Sequence, residues 1–250
     1  MTERVKLHSL YLSGFKSFAY SPLRDKKDRA GEIGYQGKRV EFGDVTLLLG
    51  ANGAGKSNVV ALFRMLGFAM TNALQEFVFT NGKASSLLHY GAQVTPRMEI
   101  AVELRGSDYT DAYRCTLADA APDTLVFTSE VVEYHRDGAP TPSRHQLGAG
   151  HDESRLPEHA SGGGKGSKES RFVFNLLQRC KSFQFHDTSS TSRLRKACYF
   201  DDSKYLRHDA GNLAAFLLGL KTNHARHYDL IRRTVSSACP QFEDFELSPS

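Results

Sequence analysis

The feature that most constrains this chain is a glycine-rich stretch enclosed by two apolar segments. Residues 50–57 read GANGAGKS and match the pattern G-x-x-x-x-G-K-[ST] at every fixed position. Residues 45–49 form an apolar run with a β-branched start, which predicts a buried strand. After the glycines, apolar residues at helical spacing predict a helix from Ser57 to about Met70. The order strand, loop, helix is the setting that this pattern requires, so we predict a phosphate-binding loop.

Each residue type in this loop suits phosphate. Gly50, Gly53 and Gly55 allow backbone conformations that a Cβ forbids, so successive N–H groups can face one concavity. The following helix adds its unpaired N–H groups and the positive end of its dipole. We expect Lys56 to reach the β- and γ-phosphates and the Ser57 hydroxyl to ligate Mg²⁺. The alternative is a plain glycine-rich turn with a chance Lys-Ser pair, and the agreement of pattern and flanks disfavours it.

Composition sets broad limits on the function. The chain has 250 residues, 40% hydrophobic and 24% charged, as is ordinary for a globular protein. A net charge of +4 permits a nucleic-acid partner without requiring one. The four cysteines are far apart and form no C-x-x-C pair, so we expect free thiols in the reducing cytoplasm. We find neither a signal peptide nor an apolar run of membrane-spanning length, so we expect no membrane partner.

The sequence as a whole predicts three parts. Residues 1–136 contain the phosphate loop and three strand-like runs separated by turn residues, which predict an antiparallel β meander within a nucleotide-binding lobe. Residues 137–168 are rich in Gly, Pro, Ser and His, and we expect a flexible loop or insertion there. Residues 169–250 are expected to be mostly helical.

The order strand, Gly14-Phe-Lys-Ser-Phe18, strand, then GANGAGKSN resembles the N-terminal lobe of ABC-type ATPase heads, closest to the RecF, SMC and OLD-like group. The resemblance implies an α/β fold. This would be a P-loop NTPase of the ABC-ATPase-like type, with a mixed sheet and an antiparallel β meander, followed by a mostly helical segment. The motifs lie in about the first sixty residues. A late run that begins at Arg207 resembles a stretch between the two halves of such heads.

The resemblance also implies roles for individual residues with ATP and Mg²⁺ as cofactors. Lys16 and Ser17 would lie in the basic turn beside the nucleotide, with Lys16 near its phosphates or ribose. Asn52, Ala54 and Asn58 belong to the stretch of the loop that resembles the family, and we expect them at the nucleotide. The family also has a residue after a late strand that touches the metal and senses the γ-phosphate. The candidates for it here are Gln184, His186 and Asp187, of which His186 and Asp187 are favoured.

Other family motifs are missing. An ABC-type head also needs an acidic motif, with four apolar residues before Asp-Glu, and a signature motif. Residues 124–130 end in Glu130 but have Thr-Ser where the Asp should stand, and residues 242–246 lack a preceding buried strand. The glycines of residues 161–165 are better explained as a flexible loop than as a signature motif. We therefore expect the N-terminal part of a larger ATPase, which binds ATP alone and hydrolyses it only with its second lobe.

The resemblance implies partners as well. Two heads would close around two nucleotides as a dimer or higher assembly. This closure would control the action of a partner, which could be DNA and a nuclease or other effector protein, in DNA maintenance or anti-phage defence. Basic residues do gather late, with Tyr199, Phe200 and Tyr205 among them, but nearby aspartates favour a solvated surface of mixed charge. Two other functions stay open: a small P-loop kinase, and a scaffold that binds ATP without hydrolysing it. The β meander speaks against the kinase, and the missing acidic motif favours the scaffold.

Overall fold

The computed structural model describes residues 5–21, 24–27, 33–36, 38–183, 185 and 189–247, and for 24–27, 33–36 and 38 it describes the backbone alone. The chain divides into two compact units, Met1–Cys180 and Lys181–Ser250. The phosphate-loop motif belongs to the first unit. None of the helices among the described residues is both long and apolar enough to cross a membrane.

The first unit is built on an antiparallel sheet. Its strands and those of a separate two-stranded ribbon are β1 (Lys6–Ser13), β2 (Arg24–Lys27), β3 (Ile33–Gln36), β4 (Lys38–Glu41), β5 (Arg97–Arg105), β6 (Tyr109–Ala120), β7 (Thr124–Arg136) and β8 (Ser143–Gly148). The sheet has the order β4-β1-β5-β6-β7-β8, and β2 pairs with β3. Every strand pair among the described residues is antiparallel. The predicted meander is confirmed as β5, β6 and β7, whereas the sheet formed by the described residues is antiparallel and not mixed as expected.

Helices cover one face of this sheet. They are α1 (Lys56–Ala69), α2 (Leu74–Thr80), α3 (Lys83–Leu87), α4 (Leu156–Ser161) and α5 (Ser167–Arg179). The core forms where Leu62 and Met65 of α1 meet sheet residues such as Leu10 and Ile100, all fully buried. The side chains of β5 alternate, so Ile100, Val102 and Leu104 share the face that meets the core. Helix α1 is therefore held against the sheet, and its first residue is the lysine of the motif.

The prediction of a buried strand at residues 45–49 is wrong. These residues have no sheet pairing, and Val45, Leu47 and Leu49 are 92%, 76% and 81% exposed. The β1–β4 pairing ends just before them, where the Phe42 amide donates to the His8 carbonyl at 2.8 Å. An apolar run forms a strand only where a neighbouring strand accepts its backbone hydrogen bonds. No described part of the chain offers such a strand here.

The expectation of a flexible loop at residues 137–168 is also wrong, because this segment contains β8 and α4. Strand β8 pairs with β7, and Leu147 and Leu156 are buried in the core. Proline at the start of α4 fits the first turn of a helix, where no amide is needed. Composition failed here because backbone pairing and a few buried side chains order a segment that is mostly polar.

Among its described residues, the second unit has a short 3₁₀ turn at Arg193–Arg195 and two helices between residues 213 and 238. Its helices are α6 (Leu213–Asn223) and α7 (Ala225–Ala238). Asn212 is fully buried and organises the preceding loop. Its side-chain oxygen accepts from the Arg207 amide, and its nitrogen donates to the carbonyls of Asp202 and Tyr205, each at 2.8 Å.

Candidate phosphate-binding site

The glycine-rich loop has the backbone conformation that its sequence predicts. Gly50, Gly53 and Gly55 have φ values of +155°, +85° and +93°, all in the region that glycine tolerates best. Gly55 is the last residue before α1, and a Cβ on it would lie 2.8 Å from the Ser17 Oγ. A Cβ on Gly53 would meet nothing within 4 Å. Gly55 is thus required by conformation and by close packing, whereas Gly53 is required by conformation and leaves open space above the loop.

Helix α1 begins with unpaired amides that face this loop. The first of its amides to pair within the described chain are those of Asn58 and Val59, both on the Gly55 carbonyl at 3.0 and 3.2 Å. The amides of Lys56 and Ser57 precede them and have no acceptor within the helix. The partial positive charge at a helix N-terminus adds to their attraction for an anion. Ser57 is exposed and its hydroxyl stands at the same end of α1.

The Lys56 side chain folds back over the loop. Its Nζ donates to the carbonyl oxygens of Gly50 at 2.7 Å and Ala51 at 2.8 Å. An ammonium has three donors, so these two bonds fix its position and leave one donor for a further acceptor. The motif's cation is therefore held across the mouth of the loop by the loop's own backbone.

The turn of residues 14–18 packs against the same helix start. The Asn58 Nδ2 donates to the Ser17 Oγ at 2.8 Å, and Phe18 is buried beside Gly55. Ser17 and Asn58, both expected at the site, are thus brought together with the loop. Lys16 has a φ of +47°, and its Nζ lies 5.9 Å from the centroid of the Phe15 ring. Its expected approach to a nucleotide stays a prediction.

Glu130, the carboxylate of the imperfect acidic motif, is fully buried within the sheet rather than at the loop. It accepts hydrogen bonds from the Tyr113 hydroxyl at 2.6 Å, the Ser154 hydroxyl at 2.5 Å and the Arg155 amide at 3.0 Å. Burial raises the pKa of Tyr113 well above its usual range, and burial also raises the pKa of the Cys115 thiol. This carboxylate anchors the chain after β8 and is not available to a nucleotide.

The other candidates lie elsewhere or outside the described residues. Gln184, His186 and Asp187, proposed as γ-phosphate sensors, are not among the described residues. Within the described part of the chain, no group of three or more His, Cys, Asp or Glu side chains could hold a metal ion. All four cysteines are free thiols, as predicted.

Some of the late basic residues pair with carboxylates of the second unit. Arg207 contacts Asp202 at 2.7 Å and Arg193 contacts Asp209 at 3.7 Å. These pairs fit the mixed-charge interpretation better than a continuous nucleic-acid surface. The ammonium groups of Lys181 and Lys204 lie over the ring of Tyr205, 5.3 and 5.5 Å from its centroid.

A cavity of about 320 Å³ lies at the other end of β1, away from the loop. It is lined by Lys6, Leu7, His8, Phe42, Arg105, Gly106 and Ser107. The lysine and the arginine that line it already have carboxylate partners, since Lys6 contacts Asp44 at 2.6 Å and Arg105 contacts Asp137. Within the described parts of the chain, the motif, the backbone conformation and a helix N-terminus coincide at the glycine-rich loop, which is therefore the stronger candidate site.

Sequence reasoning missed two side chains that support the loop's surroundings. Glu153 accepts from the first amides of α2, those of Leu74 and Gln75, at 2.8 and 3.0 Å. His89 donates from Nδ1 to the Lys16 carbonyl at 2.6 Å and so holds the turn of residues 14–18. Neither belongs to a motif, and the partners are more than 70 residues apart in sequence.

Comparison with known proteins adds no assignment, because no family model and no curated protein matches this chain.

Proposed function

We propose that this chain is the ATP-binding lobe of an ABC-type ATPase head of the RecF, SMC and OLD-like group. One observation carries the proposal: the motif's three glycines adopt positive φ while Lys56 lies across the loop, 2.7 Å from the Gly50 carbonyl oxygen. Unpaired amides at the start of α1 and a cation above them suit a triphosphate, which carries several negative charges in a row. A plain turn would need neither the cation in this position nor the adjacent helix end.

The residues fit the two cofactors unequally. The triphosphate would be held by the loop amides and Lys56, with Asn52, Ala54 and Asn58 around it. Mg²⁺ would be held by the Ser57 hydroxyl and the phosphates themselves, and when bound it supplies neutralising charge. Glu130, the carboxylate of the imperfect acidic motif, is committed to Tyr113, Ser154 and Arg155 and is not free to be the second protein ligand. Binding therefore belongs to this chain, and hydrolysis needs residues that a second lobe supplies.

The exposed segment of residues 45–49 supports a second lobe. It leads directly into the phosphate loop, yet Val45, Leu47 and Leu49 face solvent and its backbone has no sheet partner among the described residues. Exposing Val45, Leu47 and Leu49 together is unfavourable for an isolated domain. We propose that strands of the second lobe pair with this segment and complete a sheet around the loop. Nucleotide-driven closure of two such heads as a dimer would then control DNA or an effector protein, in the cytoplasm.

A scaffold that binds ATP without hydrolysing it is the second candidate. The burial of Glu130 favours it, because the carboxylate of the imperfect acidic motif is used for structure. The kinase alternative is weaker, since α1 to α3 are followed by an antiparallel meander rather than by repeated βα crossovers. The scaffold differs from the ATPase in one measurable respect: it releases no phosphate even when a second lobe is present.

The test is calorimetric titration of the purified chain with ATP and Mg²⁺, beside Lys56→Ala and Lys165→Ala variants. Lys165 is a matched control, because it is an exposed lysine that also follows a run of glycines. We expect the wild type and Lys165→Ala to bind ATP alike and Lys56→Ala to lose at least about tenfold in affinity, as for a charge-assisted contact. Equal binding by Lys56→Ala, or no binding by the wild type, would overturn the proposal.

A further inference from the structure

The cavity of about 320 Å³ at the far end of β1 has no role in the nucleotide site. It lies where the start of β1 meets the turn between β5 and β6. Its lining combines the apolar side chains of Leu7 and Phe42 with the polar side chains of Lys6, His8, Arg105 and Ser107. No aspartate or glutamate among the described residues lines it. A cavity of this volume suits a small molecule, and cations without carboxylates in the lining suit an anionic one.

The register of the sheet places two cations of this lining side by side. Lys6 of β1 lies directly opposite Arg105 of β5. Like charges that face each other on neighbouring strands repel, and such a pair destabilises the sheet. An anion that contacts both groups removes this repulsion. The cavity therefore offers a position where one ligand neutralises two cations at once.

The carboxylate partners of these two cations lie outside the lining, in ion pairs that are exposed. Lys6 contacts Asp44 at 2.6 Å, and the Arg105 guanidinium contacts Asp137 at 2.8 Å. The Lys6 and Arg105 side chains are 49% and 42% exposed, and ion pairs of this kind contribute little to stability. An ammonium has three donors and a guanidinium has five, so each cation can keep its partner and still donate to a ligand.

A β-bulge changes the direction of a third polar side chain, that of His8. Leu7 and Ser9 pair with consecutive residues of β5, so the His8 between them is an extra residue in the strand. Bulges redirect side chains and are common beside binding sites. The Arg39 guanidinium lies 3.2 Å from the His8 Nε2 and can only donate, so Nε2 accepts and Nδ1 carries the proton. The imidazole therefore adds an N–H donor to the two cations.

The rest of the lining is held in place by packing. The Gly106 amide donates to the Tyr109 carbonyl at 3.0 Å, and a Cβ on Gly106 would lie 2.4 Å from the Tyr109 ring. The Phe42 ring meets the Phe63 ring of α1 edge to face, with centroids 5.7 Å apart. Leu7 and Phe42 both pack against the core. The cavity is thus preformed, with a cationic part and an apolar part.

We propose that this cavity binds a small organic phosphate. The phosphate group would lie on Lys6, His8 and Arg105. The organic part would lie against Leu7 and Phe42. A phosphate monoester carries a charge of about −1.5 to −2 at neutral pH and three strong acceptor oxygens, which matches two adjacent cations and an imidazole N–H. The site is separate from the phosphate loop and does not rest on the proposed function.

The test follows backbone amide resonances while phenyl phosphate, inorganic phosphate or benzoate is added to the chain. Phenyl phosphate has both the dianion and the ring, inorganic phosphate has the anion alone, and benzoate has the ring with a single charge. We expect phenyl phosphate to shift the amides of Leu7, His8, Gly106 and Ser107 until they saturate. It should bind at least about fourfold more tightly than inorganic phosphate, the equivalent of burying one CH₂ group. Benzoate should bind more weakly than phenyl phosphate.

Four variants locate the binding. Lys6→Gln and Arg105→Gln, on different strands, should each weaken phenyl phosphate binding by about tenfold, the scale of one charge-assisted contact. Arg136→Gln is the matched control and should bind like the wild type. Arg136 is an exposed arginine that contacts Asp108 at 3.7 Å and does not line the cavity. Lys56→Ala should leave the shifts at the cavity unchanged, because the phosphate loop is a separate site.

The contrary outcomes separate this site from the proposed function. If phenyl phosphate does not shift the cavity amides, or if folded Lys6→Gln and Arg105→Gln proteins bind it like the wild type, the cavity site is refuted and the nucleotide site stands. Equal binding of phenyl phosphate and inorganic phosphate would refute the organic ligand, and equal binding of benzoate would refute the phosphate group. Loss of the cavity shifts in Lys56→Ala would assign them to the phosphate loop. Failure of ATP to shift the loop amides counts against the proposed function alone.

Discussion

The side-chain amide of Asn58 donates to the hydroxyl of Ser17 at 2.8 Å, joining residues 41 positions apart in sequence. This bond ties the turn after β1 to the first turn of α1. Gly55 lies directly beneath it, because a Cβ there would come within 2.8 Å of the Ser17 Oγ and 3.3 Å of the Phe18 ring. The shape of the phosphate loop thus depends on a contact that lies outside the motif.

Replacing the loop glycines one at a time should separate two costs in unfolding free energy, that of backbone strain and that of lost packing. Gly53→Ala meets no neighbour and should cost only the left-handed strain, about 1–2 kcal/mol of unfolding free energy. Gly55→Ala carries the same strain and must also displace Ser17, losing a hydrogen bond worth about 1 kcal/mol. Urea unfolding of both variants measures the difference. Equal costs would show that the Ser17 contact does not constrain the loop.

Glu130 should behave as a structural carboxylate and not as a catalytic one. Glu130→Ala removes the acceptor for two buried hydroxyls and one backbone amide and should lower the unfolding free energy by about 3–5 kcal/mol. Glu158→Ala, at an exposed glutamate of α4, is the control and should cost less than about 1 kcal/mol. The milder Glu130→Gln variant should bind ATP with wild-type affinity. A stable Glu130→Ala protein would contradict this role.

Asp244 should make the second unit sensitive to acid. Hydrogen bonds from the Tyr228 hydroxyl and the Lys221 ammonium lower the pKa of Asp244 from its usual 3.8 to about 2. A folded-state pKa below the unfolded one means that the stabilisation is complete above the unfolded pKa and is lost as the pH falls through about 2. Carboxyl titration by NMR should find the low value. The Asp244→Asn variant should lack this part of the acid dependence, whereas Asp229→Asn should retain it.

Residues 45–49 should be exposed in the isolated chain. We expect amides 46–49 to exchange hydrogen nearly as fast as in an unfolded peptide, while the β5 amide of Val102, within the sheet, is protected. Replacing Val45, Leu47 and Leu49 together by threonine should reduce binding of a hydrophobic dye. The unfolding free energy should change by less than about 1 kcal/mol, because these side chains bury little in the chain alone. Strong protection of these amides would show that the segment already has a partner.

What the sequence could predict depended on how local the determinants are. The loop, α1 and the meander follow from short patterns, such as glycines at fixed spacing and the alternation of Ile100 and Val102 with Glu99 and Ala101, and the structure confirms these elements. The fate of residues 45–49 could not be predicted, because a strand exists only with its neighbour. In the described chain, where no strand pairs with it, this apolar run is an exposed segment.

The ordered structure of residues 137–168 and the position of the turn at residues 14–18 depend on contacts between residues that are distant in sequence. Glu130 holds Ser154 and Arg155, and His89 holds the Lys16 carbonyl, yet none of these residues belongs to a repeating pattern or motif. Composition could not reveal them because it counts residues and does not locate their partners. Buried polar hydrogen bonds of this kind become visible only when the fold brings the two groups together.

The most direct test of the central claim is to follow backbone amide resonances of the chain while ATP and Mg²⁺ are added. We predict that the amides of Gly53, Gly55, Lys56 and Ser57 shift together and saturate at one ATP per chain, and that Lys56→Ala abolishes these shifts. Shifts confined to the cavity around His8 and Arg105, or no shifts at the loop at saturating ATP, would contradict the claim that this loop binds the nucleotide.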